Sequence, residues 1–144
     1  MTRMDDKTLD FWRNHSVRFL EMALTDHYRE VPANPDGYAR VVRECGDTVE
    51  MFLMVRDGKI RTASFETNGC IYSVACANTA VHLASGLTPE EARRITPDQI
   101  VEFLETLPPE EEHCAEQAVK ALRLALADAR DGERQPWKKY YQRR

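Results

Sequence analysis

Val49-Glu50-Met51-Phe52-Leu53-Met54-Val55-Arg56-Asp57-Gly58-Lys59-Ile60-Arg61-Thr62-Ala63-Ser64-Phe65 is the stretch on which the fold turns. Val49, Met51, Leu53 and Val55 alternate with Glu50, Phe52 and Met54, so the run is apolar on both faces, as in a largely covered strand. Asp57-Gly58 then supplies the two residues that most readily take positive φ, the strongest short signal for a two-residue hairpin. Lys59 to Thr67 returns as the partner strand. Its apolar members Ile60, Ala63 and Phe65 do not alternate strictly, which predicts a bulge or added twist.

Working outward, Tyr38 to Cys45 reads as a strand and completes a three-stranded antiparallel meander. Before it, Val31 to Gly37 carries two prolines, an asparagine and a glycine and reads as a loop. Lys7 to Tyr28 reads as an amino-terminal helix, with Leu9, Trp12, Ser16, Phe19, Leu20 and Ala23 near one face. After the hairpin, Asn68-Gly69 ends the strand and Ile71 to Ser85 forms a helix stopped by Gly86. Thr88-Pro89-Glu90-Glu91 and Thr96-Pro97-Asp98-Gln99 each open a short helix with a capping threonine, a proline at the first helical position and a capping-box partner. Pro108-Pro109 breaks the chain. His113 to Ala129 is the long carboxy-terminal helix, with Cys114, Ala118, Ala121, Leu122 and Ala125 on one stripe. Strands first and helices afterwards indicate α+β, with the helices on one face of the sheet.

The 144 residues fit a single domain, read here as residues 1–132, followed by a basic, aromatic tail over 133–144. The tail is expected to fold back on its own domain or fray rather than to dock an acidic partner. A formal charge of -4 argues against binding a phosphate backbone, hence against nucleic acid. No apolar run is long enough to span a membrane. The start, with Asp5 and Asp6 and no apolar stretch behind them, does not resemble a secretory signal, so the expectation is a cytoplasmic protein with free thiols.

Four cysteines are present, Cys45, Cys70, Cys76 and Cys114. The plain alternative for each is a small buried hydrophobe. Three of them stand at corners of the expected fold. Cys45-Gly46-Asp47 lies between the first two strands, Gly69-Cys70 between the third strand and a helix, and His113-Cys114 at the opening of the last helix. Thiolates with an imidazole suit zinc or an iron–sulfur cluster rather than magnesium or calcium. Helix-start amides favour thiolates, so Cys70 and Cys114 are expected to have depressed pKa values. Gly46 and Gly69 are expected to leave room for a metal or reacting sulfur near the backbone. Cys76, six positions beyond Cys70, reads as a buried helix residue. His15, His27 and His82 read as structural or solvent-facing.

Cys45-Gly46-Asp47, Gly69-Cys70 at a strand end, and Leu107-Pro108-Pro109 shortly before His113-Cys114 resemble the IscU/NifU amino-terminal family of iron–sulfur scaffold proteins. Asp26-His27-Tyr28, Asn34-Pro35, Phe65, Ser73, Ala75 and Gly86 extend the match over about Asp26 to Arg130. The resemblance implies a carrier rather than an enzyme. It implies that Cys45, Cys70 and Cys114 accept sulfur from a cysteine desulfurase and ligate a [2Fe–2S] cluster, which passes to acceptor apoproteins. It assigns iron binding and site lability to Asp47, an alternative ligand to His113, and first receipt of persulfide sulfur to Cys114. Zinc can take the same site when no cluster is present, and the protein is expected as a monomer or a cluster-bridged dimer.

Three departures stand out. Leu107-Pro108-Pro109 is followed by Glu110-Glu111 where the family carries Val-Lys, a recognition site for a dedicated Hsp70 chaperone; two acids should weaken that contact. Glu112 adds further negative charge beside His113 and opposes the helix-start effect on nearby groups. The amino-terminal helix is longer than usual, and Cys76 stands where a small residue such as serine is commoner. A second reading is a zinc-bound sulfur relay like the SufU group; that group has an insert before its last cysteine and lacks the histidine that this chain keeps at His113. A third is a structural zinc domain, against which an aspartate in the ligand set argues.

Overall fold

The computed structural model describes residues 15–25, 29–44 and 46–134. In chain order the elements are α1 (Val17–Leu24), β1 (Gly37–Val42), β2 (Thr48–Arg56), β3 (Lys59–Thr67), α2 (Ile71–Ala84), α3 (Pro89–Ala92), α4 (Pro97–Leu104), a 3-10 turn (Pro109–Glu111) and α5 (Glu112–Arg134). The strands form one antiparallel sheet in the order β1-β2-β3. The expected meander and α+β class are therefore what the chain adopts.

The turn between β2 and β3 has Asp57 at φ 54 and Gly58 at φ 74, as the Asp-Gly pair requires. Two residues later the pairing slips: Met54 faces Thr62 and Val55 faces Ile60, leaving Arg61 without a partner. That is the bulge which the broken alternation of β3 signalled. One face of the sheet is set by register, with Ala39, Met51 and Phe65 in one row and Val41 and Val49 in the next. These side chains are buried together with Leu53 and Ala63 in the same core as α2 and α5.

α2 lies in the middle of that core. Its buried positions run almost without interruption from Ser73 to Val81, so it has no polar face. It is packed by α1, α4, α5 and β3, and a helix enclosed on every side needs no amphipathic pattern. α5 presents the expected stripe: Cys114, Ala118, Ala121, Leu122 and Ala125 are all buried. Both short helices carry complete capping boxes, Thr88 with Glu91 and Thr96 with Gln99.

Three expected boundaries move. The amino-terminal helix does not run unbroken from Lys7 to Tyr28. Ser16 is extended (ψ 162) and caps α1 by accepting from Phe19 N–H, and Thr25 is extended at the other end. The Ser16 hydroxyl is also spent on Leu104 O at 2.6 Å, which ties this break to the end of α4. Leu9, Trp12, His27 and Tyr28 lie outside the described residues. β1 stops at Val42 rather than Cys45, because Gly46 N–H donates to Arg43 O and turns the chain. α5 runs past the expected Ala129, through Gly132 to Arg134, and residues 135–144 of the tail lie outside the described residues.

Each outer strand has its edge engaged. Ile60 N–H donates to Leu87 O and Gly86 N–H to Ile60 O, both at 2.8 Å, on the β3 side. The Arg29 guanidinium donates to Thr67 O at 2.8 Å at the other end of β3. On the β1 side Asp128 Oδ2 accepts from Tyr38 N–H at 2.9 Å.

Gly37 is the point where β1 touches α5. A Cβ built there would collide with the Ala125 carbonyl oxygen and sit 3.0 Å from the Ala129 Cβ. A backbone carbonyl cannot swing aside as a side chain can. Gly37→Ala should therefore lower unfolding free energy by about 1–3 kcal/mol, read as a lower urea midpoint at unchanged m-value.

Candidate metal centre

Cys70 is the N-cap of α2, extended at ψ -178, with an exposed side chain. The loop that delivers it is fixed by Thr67, whose buried hydroxyl donates to Thr48 O at 2.6 Å and accepts from Gly69 N–H at 3.0 Å. Gly69 leaves no open space for a metal. A Cβ there would lie 2.5 Å from Ser73 Oγ and 2.7 Å from Ser73 Cβ, so the glycine makes room for Ser73. At Gly46, where φ is 94, nothing among the described residues lies within 4 Å of where a Cβ would stand.

Cys114 lies in the first turn of α5 and is only 2% exposed. Its sulfur is 3.6 Å from Ser73 Oγ on one side and 3.7 Å from Glu111 Oε2 on the other. The expectation of a depressed pKa fails for this thiol. Burial pushes it up to about 11, the Ser73 hydrogen bond and Arg43 offset part of that, and Cys70 and Glu111 add to the rise. Desolvation of a thiolate outweighs the helix-start amides. Cys76 is fully buried, as expected, and burial drives its thiol well above the ordinary range.

One ligand atom each from Cys70, Glu111 and Cys114 lies within 4.8 Å of the others. Two of the thiols singled out in the sequence thus meet, although 44 positions separate them. Cys45 lies outside the described residues. The corner around it is nonetheless bound to the other two. Asn68 spans it, with Thr48 N–H donating to Asn68 Oδ1 at 2.7 Å and Asn68 Nδ2 to Gly46 O at 3.4 Å. Gln117, one turn beyond Cys114 and buried, donates to both Val41 O (3.3 Å) and Asp47 O (3.1 Å). Its Oε1 has no partner among the described residues.

Asp47 and His113 do not join the Cys70–Glu111–Cys114 group at that spacing. Asp47 is half-buried and held by its backbone: its carbonyl accepts from Arg43 N–H as well as from Gln117. His113 is half-exposed, with Nε2 3.6 Å from the same Glu111 oxygen that faces Cys114. Sequence reasoning read Glu110-Glu111 only as a change of partner surface and so missed Glu111. Its spacing three residues before Cys114, one helical turn, was the available signal. His15 and His82 are structural in the expected sense, His15 against Phe19 at 4.6 Å and His82 against Phe103 at 5.5 Å.

The family model for the NifU-like N terminal domain matches residues 30–134. The chain belongs to this family. Among relatives, the iron-sulfur cluster assembly scaffold protein IscU 1 of Archaeoglobus fulgidus is 39% identical over 84 residues, 58% of this chain and 55% of that protein. The chain thus spans about half the length of that relative. The mitochondrial iron sulfur cluster assembly protein 1 of Schizosaccharomyces pombe is 32% identical over 133 residues, 85% of this chain and 69% of that one. A NifU-like amino-terminal structure from Brucella abortus shares the fold at a TM-score of 0.66 and 20% identity, covering 81% of this chain and 94% of its own. No helix among the described residues is long and apolar enough to cross a membrane.

Exposure and burial set an order of thiol reactivity for this NifU-type domain. In reduced, metal-free protein at neutral pH, iodoacetamide should label Cys70 well before Cys114, and Cys76 only on unfolding. Labelling of Cys114 should speed up about tenfold per pH unit while the pH stays below its raised pKa, because the thiolate is the nucleophile. Peptide mass spectrometry over a pH series checks this; Cys114 labelled first at neutral pH would contradict the burial assigned to it.

Proposed function

We propose that the chain is a scaffold on which a labile [2Fe–2S] cluster is built from iron and desulfurase-derived sulfur and then passed to acceptor apoproteins. The observation that carries this reading is the meeting of Cys70 and Cys114, remote in sequence, at one corner of a NifU-type fold. The cluster is cargo, so the protein acts as a carrier and not an enzyme. Cys45 supplies the third thiolate and Asp47 a hard oxygen donor that suits a soft cluster poorly and helps it leave. His113, beside Glu111, serves as the alternative ligand. Two thiols and oxygen or nitrogen donors equally suit zinc, which holds the same residues when no cluster is present.

Of the two described thiols at the site, Cys70 is the one an incoming sulfur donor reaches directly. Delivery to Cys114, the acceptor that the family resemblance assigns, needs the Pro109–Glu111 turn to yield, since that thiol is buried behind Glu111 and Ser73. The partners are a cysteine desulfurase and cluster-accepting apoproteins in the cytoplasm, with a bridged dimer available when two chains share a cluster.

Anaerobic incubation with ferrous iron, cysteine and a desulfurase should give the visible absorption of a [2Fe–2S] cluster, abolished in Cys70→Ser and in Cys114→Ser. Stoichiometric zinc that iron and sulfide never displace would instead mark a zinc-bound sulfur relay. Asp47→Ala should yield a longer-lived cluster, followed as the decay of that absorption; an unchanged lifetime removes the role given to Asp47.

A further inference from the structure

Glu111 stands where the resemblance to the IscU kind has a lysine, and the fold turns its carboxylate toward the thiols. The Pro109–Glu111 turn is closed by Glu111 N–H donating to Pro108 O at 2.9 Å. That fixes Glu111 one turn ahead of Cys114 and on the same side of the helix. Its side chain is 25% exposed, so the carboxylate is partly withdrawn from solvent rather than waving on the surface.

The spacing matters more than the proximity. Metal–sulfur and metal–oxygen bonds of about 2.3 and 2.0 Å put neighbouring donors of a tetrahedral ion about 3.5 Å apart. Glu111 Oε2 and Cys114 Sγ are 3.7 Å apart, and Cys70 closes the triangle within 4.8 Å. Two donors already stand at the separation a bound ion imposes, and the exposed Cys70 side chain has freedom to complete the set. Two sulfurs and one oxygen leave a fourth position open, a donor set suited to borderline divalent ions such as Fe²⁺ and Zn²⁺. His113 Nε2 lies 3.6 Å from the same carboxylate oxygen.

We propose that Cys70, Glu111 and Cys114 form an entry site for a single divalent metal ion, with Glu111 as a direct ligand and without need of Cys45. The proposal rests on the scaffold reading and adds to it a first stop for the metal. A carboxylate in place of a lysine adds a donor and removes a repelling cation, so the turn that elsewhere in the family faces a partner becomes part of the metal site here. The hard oxygen makes the first stop shallow, which lets the ion pass on to a fuller set of thiolates.

Anaerobic titration with Co²⁺ tests this, since its ligand-field bands report donor identity and its sulfur charge-transfer bands report bound thiolates. In a Cys45→Ser background Co²⁺ should still bind with sulfur charge transfer. Adding Glu111→Ala should weaken binding about tenfold or more and shift the ligand-field bands. Adding Glu110→Ala, which removes the same charge next door, should leave both unchanged. Bands that stay in place in Glu111→Ala overturn ligation by Glu111 whatever the affinity, and failure of Cys45→Ser to bind Co²⁺ overturns independence from Cys45. If Glu111→Ala changes nothing while Cys70→Ser or Cys114→Ser abolishes Co²⁺ binding and cluster formation, the entry site fails and the scaffold stands. If those two serine variants change nothing either, the scaffold reading falls with it.

Discussion

A single carboxamide, that of Gln117, joins the two halves of the site. Its nitrogen reaches from α5 to two carbonyls on either side of the β1–β2 corner, Val41 O and Asp47 O. The corner bearing Asp47 is thereby set against the helix turn bearing Cys114, and Asn68 sets the same corner against the loop bearing Cys70. Each such bond is worth only about 1 kcal/mol net, yet leaving a buried partner unmet costs more than making the bond gains. The position of the corner is therefore specified by what it would cost to move.

The electrostatics of the corner pull against its packing. Cys70, Cys114 and Glu111 are three groups that become anions, one of them deeply buried, and Arg43 is the cation that eases the Cys114 thiol. For Cys114 the balance favours the protonated thiol. A divalent cation reverses the balance, because it deprotonates a coordinating thiol outright. Burial does most to raise Cys114, and the neighbouring Cys70 and Glu111 add to it.

Much of the fold was legible from local rules. Asp57-Gly58 demanded a turn with two positive φ angles and has one, and the threonine-proline capping boxes could hardly open anything but helices. The two thiols met because corners of a compact meander converge. Other features needed the third dimension. Nothing local says that Ser16 interrupts a helix-compatible run, since its hydroxyl is spent on Leu104, eighty-eight residues away. Gly69 suggested space for a ligand, but the space belongs to Ser73. The Cys114 pKa runs against expectation because the stripe that buries the thiol costs its thiolate more than the helix-start amides return. Glu111 reads as surface charge because its meeting with Cys70, forty-one positions away, is set by the packing of α2 and α5 and not by the sequence around it.

A three-stranded sheet has two rims and little interior. Here the two ends of the β3 rim are taken by Gly86, Leu87 and Arg29, and the Tyr38 N–H of the β1 rim by the Asp128 carboxylate. Strand addition, in which one polypeptide recruits another through main-chain hydrogen bonds, is opposed at these positions of the two edges. Those contacts also work against edge-to-edge stacking of copies of the chain, since a strand of a second copy would have to displace them before it could pair there.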